Sequence, residues 1–512
     1  MTSVSRILLL AAPLMAPAAA QFSTGNIIGL LGGAAGVESA DLNGDGIADV
    51  VGVGYSSGRL VWHAGLGGGA FAPQQLIASN VNGARHVVLF DVDGDGDLDP
   101  AIVVEQQDKV VWYPNLGSSG FGSERIITAT QLGPFTVEFA DLNGDGNPDA
   151  LVSSFQDDTV AWYAGDGSGN FGGQNVVSNL ADQSTAAVVG DFDLDGDLDV
   201  AAANYAEDRL DWFRNNGSGS FSGRILITTD VDGIRRLEAG DLNGDGRLDL
   251  LTASEMDDDI SWFRGLSGGF GSEEIIDANT AGAGGVSFAD LDADGRVDVL
   301  AGAIGNNGRA AWHRGLGNGQ FGGPQIIDAG NFVDGTIDII PADLDGDGDL
   351  DVLVASLYEE HLVWFENQFE LGNSYCSAVP NSTGFVGRMS VTGSPIVTNN
   401  NVVLNAERIP PNSFGLFILS LNSGFFANPG GSQGNLCLSG QVGRFDRPGE
   451  TQQANGQGRF LLPINLGNIP SPSLGQTQAF AGETWHFQAW HRDTVMGAST
   501  SNFTNGVRVS LQ

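Results

Sequence analysis

One nine-residue phrase of alternating aspartates recurs seven times before residue 370. Its copies are DLNGDGIAD from Asp41, DVDGDGDLD from Asp91, DLNGDGNPD from Asp141, DFDLDGDLD from Asp191, DLNGDGRLD from Asp241, DLDADGRVD from Asp290 and DLDGDGDLD from Asp343. Successive starts lie 50, 50, 50, 50, 49 and 53 residues apart. A fixed period of this length marks a repeat architecture, in which each unit is one supersecondary element that cannot bury its apolar face alone. Whatever one unit forms, its neighbours must form beside it.

Each unit reads as four strands. The acidic loop leads into a short apolar strand such as Asp351-Val352-Leu353-Val354. A second strand ends on Trp62, Trp112, Trp162, Trp212, Trp262, Trp312 or Trp364, with an apolar residue two positions earlier and a variable one between. That alternation predicts one firmly buried face. A glycine-rich turn, a phenylalanine and an aliphatic pair follow, as in Phe121 with Ile126-Ile127. A last strand, such as Val137-Glu138-Phe139-Ala140, enters the next loop. Four strands in each of seven units predict an all-β fold, a seven-bladed β-propeller, whose radial repetition leaves only short edges.

The ends of the array complement each other. After Trp364 the seventh unit lacks its phenylalanine strand, whereas Phe22 to Ile28 is an extra copy, 19 residues before Asp41, as Phe71 is 20 before Asp91. The N-terminal strand is therefore expected to close the last blade.

The loops suit a hard divalent cation. Calcium takes six to eight oxygens, and carboxylates on alternate residues of a tight loop can all turn inward. Glycine at position 6 permits the backbone reversal. An EF-hand needs Glu at position 12 between helices, whereas here Asp at position 9 opens a strand. Of the 62 acidic residues, 25 sit at loop positions 1, 3, 5 and 9, which accounts for much of the net charge of −40. Seven divalent ions add fourteen positive charges and leave −26. With only 22 Lys and Arg, the chain is unsuited to nucleic acid or an anionic membrane.

Residues 1–20 read as a secretory signal: Arg6, an apolar run from Ile7 to Met15, then Ala18-Ala19-Ala20. The run is too short to span a bilayer, and no later stretch is long enough. Cys376 and Cys437, the only cysteines, are expected to pair outside the cytoplasm.

The loop, the strand after it and the Phe-Gly element (Phe121-Gly122, Phe171-Gly172, Phe270-Gly271, Phe321-Gly322) resemble the FG-GAP/VCBS repeats of integrin alpha-subunit propellers and of many secreted bacterial and fungal proteins, a fungal lectin among them. The resemblance covers residues 22 to 369. It implies up to seven structural Ca2+ ions, each in the hairpin between the first and second strands of a blade, held by positions 1, 3, 5 and 9 and the carbonyl of position 7. The implied sites are Asp41, Asn43, Asp45, Ile47 and Asp49; Asp91, Asp93, Asp95, Asp97 and Asp99; Asp141, Asn143, Asp145, Asn147 and Asp149; Asp191, Asp193, Asp195, Asp197 and Asp199; Asp241, Asn243, Asp245, Arg247 and Asp249; Asp290, Asp292, Asp294, Arg296 and Asp298; and Asp343, Asp345, Asp347, Asp349 and Asp351. Asn at position 3 of the first, third and fifth loops removes a charge and is expected to weaken those sites.

With the hairpins at one end, the loops between second and third strands fall at the other. They supply an acidic, partly aromatic rim as candidate ligand surface: Tyr55, Glu105, Phe155, Asp158, Tyr205, Asp208, Asp258 and Tyr358. Aromatic faces with carboxylates suit sugars or cationic groups, and a solvated rim is the plainer alternative. No catalytic residues emerge. The six histidines share no metal-ligand spacing, and no HExxH or phosphate loop is present.

From about Glu370 the period stops. Residues 370–512 carry short apolar runs bounded by turns, which predicts a small β-sandwich after the 21–369 propeller. Their end, Trp485 to Gln512, resembles a C-terminal module of large secreted bacterial proteins. Two functions remain: an extracellular binding or adhesion module for glycan or protein ligands, expected to be monomeric, or a secreted polysaccharide-active enzyme on the same scaffold.

Overall fold

The computed structural model describes residues 21–511 apart from 118–119, 306–307, 369–372, 394–396, 399, 472–474 and 496–497. The secretory segment at 1–20 and the division at 369/370 lie outside the described residues. Among the described residues, seven four-stranded antiparallel sheets are formed. The third unit is representative: Pro134–Ala140, Asp149–Ser154, Thr159–Gly165 and Phe171–Ser178 pair in chain order, with the acidic loop between the first two. The inner strands of successive sheets pack side by side, and that of the first sheet meets that of the seventh.

The ring closes as the end phases require. Asn26–Leu30 is the outer strand of the seventh sheet, beside His361–Phe365, Asp351–Ser356 and Thr336–Ala342. Phe22 meets the Trp312 ring edge-on at 6.3 Å, as Phe121 meets Trp62 at 5.6 Å and Phe321 meets Trp262 at 6.4 Å. Each phenylalanine thus packs on the tryptophan of the preceding sheet. In four units, at Gly69, Gly169, Gly219 and Gly319, the glycine two residues before the phenylalanine does the same. A Cβ on Gly169 would lie 2.3 Å from Trp112, and one on Gly69 the same distance from Trp364, across the closing seam.

The tryptophan strand departs from its expected single buried face. The residues between the two apolar positions, Val61 and Asp211 among them, are also fully buried. Both faces of this strand are covered because a blade is sandwiched between two neighbours. The buried Asp211 carboxylate is matched by Arg209 Nε at 2.7 Å and Arg224 Nε at 2.8 Å, as a desolvated charge requires. In the aliphatic pairs the first member faces out, as Ile126 and Ile275 do, each 57% exposed.

The C-terminal residues build a three-stranded sheet (Arg388–Thr392, Val403–Glu407, Phe460–Pro463) and a seven-stranded one that includes Phe414–Ser420 and Thr484–Val495. The two share one core, with Met389 and Leu404 from the first and Phe417 and Phe487 from the second. Cys376 and Cys437 form a disulfide closing 61 residues, worth about 4 kcal/mol on chain entropy. No helix among the described residues is long and apolar enough to cross a membrane.

Candidate functional site

Each acidic loop is wound by its own aspartates. In the first, Asp41 Oδ1 accepts the N–H groups of Gly44 at 2.8 Å and Asp45 at 3.1 Å, and Oδ2 that of Gly46 at 2.7 Å. Asp45 Oδ1 accepts the N–H of Ile47 at 2.9 Å. Positions 4 and 6 are left-handed, at φ +76° for Gly44 and +82° for Gly46. Position 4 carries no warning in the sequence, since two loops place Leu194 (φ 61°) and Ala293 (φ 54°) there.

Position 9 has a second task. Asp49, fully buried, accepts the N–H of Leu42 at 3.1 Å and that of Gly65 at 2.7 Å. Asp99, Asp149, Asp199, Asp249, Asp298 and Asp351 likewise accept an N–H sixteen or seventeen residues on, at 2.7–3.0 Å. This carboxylate therefore ties the loop to the exit of the tryptophan strand. Burial pushes it up, to about 7 for Asp99 and Asp298 and about 9 for Asp351.

The loops fall into two classes by position 3. With Asp there, three carboxylate oxygens converge within 4.8 Å of one another: Asp91, Asp93 and Asp99; Asp191, Asp193 and Asp195; Asp290, Asp292 and Asp294; Asp343, Asp345 and Asp347. Oxygens on opposite sides of a calcium ion are about 5 Å apart, so these sets fit it. One buried oxygen each of Asp93 and Asp193 has no hydrogen-bond partner. With Asn there, the side-chain amide instead donates to position 9, at 3.3 Å in the first loop, 3.1 Å in the third and 3.0 Å in the fifth. Guanidinium groups stand over three loops: Arg214 on Asp193 at 3.3 Å, Arg264 on Asp245 at 2.7 Å and Arg314 on Asp292 at 2.5 Å.

The model of the FG-GAP-like repeat matches six overlapping stretches, 41–102, 91–152, 141–202, 191–252, 241–301 and 290–354. The chain belongs to the FG-GAP repeat family. No curated protein matches it. Among solved structures, the FG-GAP chain is similar to a lectin of Agrocybe aegerita that recognises non-reducing terminal N-acetylglucosamine, at 20% identity and TM-score 0.44 over 59% of this chain and 81% of that one. It is also similar to the BP39L lectin of Burkholderia pseudomallei, at 18% identity and TM-score 0.48 over 66% and 97%. A luciferin-regenerating enzyme matches at 10% identity and TM-score 0.35 over 55% and 90%.

At the end of the FG-GAP propeller opposite the loops, four of the eight rim residues join one cluster. Arg85 lies 3.7 Å from the Phe135 ring centre and 5.7 Å from that of Tyr55, and pairs with Glu105 at 2.8 Å. Phe155 stands between Phe135 at 5.8 Å and Tyr205 at 6.1 Å. Tyr205 donates to Glu255, which pairs with Arg235 at 2.8 Å. Arginines thus neutralise part of an edge that reads as acidic. Asp158, Asp208 and Asp258 hold left-handed turns and accept N–H groups of Gln183, Gly233 and Gly282. Tyr358 is 59% exposed.

Sequence reasoning passed over the ring's centre. Glu38, Glu138 and Glu238, at the same phase of the first, third and fifth units, project from inner strands with Asp338. Arg236 pairs with Asp338 at 3.1 Å. Burial, and then the neighbouring acids, push Glu38 and Glu138 up to about 8. Inner strands are sheet edges with unpaired N–H groups, and these side chains accept some of them: Asp338 that of Val37 at 3.0 Å and Glu138 that of Val189 at 3.1 Å. The missed signal was a carboxylate where other units carry Val, Ser or Ile. In the C-terminal sheets, Trp490 lines two cavities of about 710 and 530 Å³.

Proposed function

We propose that this chain is a secreted, monomeric binding module, with a calcium-stapled propeller at 21–369 and an accessory β-domain at 370–512, that recognises an extracellular glycan or protein. The observation that carries calcium is the convergence of three carboxylates in four loops. A bound ion neutralises their mutual repulsion, and because it binds only the folded loop it stabilises the fold by mass action. The role is structural, since each set lies in a hairpin between two strands of one blade.

Recognition is assigned to the opposite end, where Phe135, Phe155 and Tyr205 run together beside Arg85. Flat aromatic faces with polar neighbours suit the C–H faces of sugars and the side chains of peptides. A thermal melt with and without a chelator tests the first half, and an unchanged midpoint after removal of metal refutes it. A glycan array in calcium tests the second: Phe155→Ala and Tyr205→Ala should abolish the signal while Asn143→Ala leaves it. A signal that survives both rim substitutions removes the rim from the account.

A further inference from the structure

The C-terminal sheets carry a charge balance unlike the rest of the chain. Residues 370–512 hold seven arginines, no lysine and six carboxylates, a net charge of +1, which leaves −41 to residues 1–369. The acidity that repels anions from the propeller does not extend to these sheets.

Their seven-stranded sheet has one face in the core and part of the other open, because side chains alternate along a strand. In Thr484–Val495, Phe487 and Ala489 point into the shared core, whereas Trp490 is half-buried and Arg492 and Thr494 are exposed. The neighbouring strand sets Phe503, Ser501 and Ser499 opposite these three, and Leu416 lies opposite Trp490 on its other side. Two residues earlier the face is closed, since Gln488 is fully buried and donates to the Asn435 carbonyl at 2.8 Å. The open part is a trough across Trp490. A polar cavity of about 710 Å³, with Arg492 and Ser413 in its wall, adjoins the indole, and an apolar one of about 530 Å³, with Leu416, Ile418, Phe503 and Arg444, shares it. Small-ligand sites span about 300–1,000 Å³.

Several polar groups of the trough have no partner within the chain. Among the described residues, neither Arg492 nor Arg444 forms an ion pair or a side-chain hydrogen bond. Asp493, the one carboxylate among the described lining residues, is engaged by the N–H groups of Ser382 at 3.0 Å and Thr494 at 2.8 Å and by Asn502 Nδ2 at 3.3 Å. The buried hydroxyl of Ser413 is unpartnered. Trp485 donates its indole N–H to Glu483 at 3.0 Å, whereas that of Trp490 makes no bond among the described residues.

An indole plane suits the C–H face of a sugar ring, hydroxyls meet its hydroxyls, and a free guanidinium takes a carboxylate through two parallel N–H···O bonds. An extended peptide would need the free backbone groups of a sheet edge, but the strand of Trp490 is paired on both sides. We propose that this trough is a second recognition site, separate from the propeller rim, for an oligosaccharide that bears carboxylate groups, with Trp490 stacked on a ring and Arg492 paired with a carboxylate. It depends on neither the rim assignment nor bound calcium.

The test is calorimetric titration of the full chain with a panel of uronic-acid trisaccharides, each matched by its neutral methyl ester. At least one acid should bind, and its ester should bind more weakly by about tenfold or more. Arg492→Gln, at an exposed position, should weaken that binding by about tenfold or more, and Trp490→Ala should abolish it, while Phe155→Ala on the rim leaves it unchanged. Should Trp490→Ala fail to fold, Arg492→Gln carries the test. Equal binding of acid and ester, unaltered affinity in Arg492→Gln, or no binding by any acid overturns the inference, as does a glutamate-rich peptide that binds through Trp490 where no uronate does. Binding lost in Phe155→Ala but kept in Arg492→Gln overturns it too and leaves the rim reading standing.

Discussion

Substituting Gly169 by Ala tests whether the glycine–tryptophan contacts hold the ring together. Gly169 sits at φ +77°, and its added Cβ would lie 2.3 Å from Cζ2 of Trp112 in the preceding blade. The same indole donates its N–H to the Gly169 carbonyl at 3.3 Å, so the ring cannot retreat without losing that bond. Two costs add. An alanine held in the left-handed region costs about 1–2 kcal/mol, and forcing a methyl into a filled seam costs about 1–3 kcal/mol more. Gly120 separates them, since it has φ +82° but nothing within 4 Å of its Cβ. In urea unfolding at saturating calcium, Gly120→Ala should lose about 1–2 kcal/mol and Gly169→Ala about 2–5 kcal/mol. Equal losses would show that backbone conformation, and not the inter-blade seam, is what glycine protects, and the seam argument would fall. Gly219 and Gly319, at 2.3 Å from Trp162 and 2.4 Å from Trp262, provide independent repeats of the measurement.

Three further outcomes follow from the site. Leu194 occupies a left-handed position that five of its equivalents fill with a glycine above φ +70°, so Leu194→Gly should raise unfolding free energy by up to about 1 kcal/mol; a loss would refute the strain argument. Glu138 is raised from its ordinary value to about 8, by burial first and by Glu238 second, so the folded state holds this proton more tightly than the unfolded one. Its contribution is therefore most favourable at low pH and is lost as pH climbs from about 4.5 to 8. Glu138→Gln should match the parent near pH 5 and exceed it at pH 8.5, and identical pH–stability curves for the two would count against a buried glutamate. Asn143→Asp removes the amide's bonds to Asp149 at 3.1 and 3.2 Å and adds a charge. It should tighten calcium in the third loop by calorimetry while lowering stability in chelator, and unaltered affinity would mean that position 3 does not touch the ion.

Much of this architecture was legible in the chain because the repeat supplies its own controls. A phenylalanine strand missing after Trp364 and present at Phe22 located the closing strand, since a phase mismatch can be read without knowing any contact. Aspartates at positions 1, 3 and 5 announced an oxygen cage, because alternate residues of a tight loop share one side. The double duty of position 9 was not legible. Its second partner lies sixteen residues away in the chain, and nothing in a nine-residue phrase reports which N–H groups a neighbouring strand leaves free.

The amino-acid sequence alone determined the period, the four strands per unit, the phase of ring closure and the chemistry of the loops, all of which depend on residues near one another in the chain. The tertiary structure decided what lies against each face. It buried both sides of the tryptophan strand, gathered Glu38, Glu138, Glu238 and Asp338 around one axis, and set the C-terminal sheets over Asp349 but over no other position 7. Local patterning reports where a side chain points, whereas the cost or use of pointing there is set by residues outside the local stretch, brought against it by the fold.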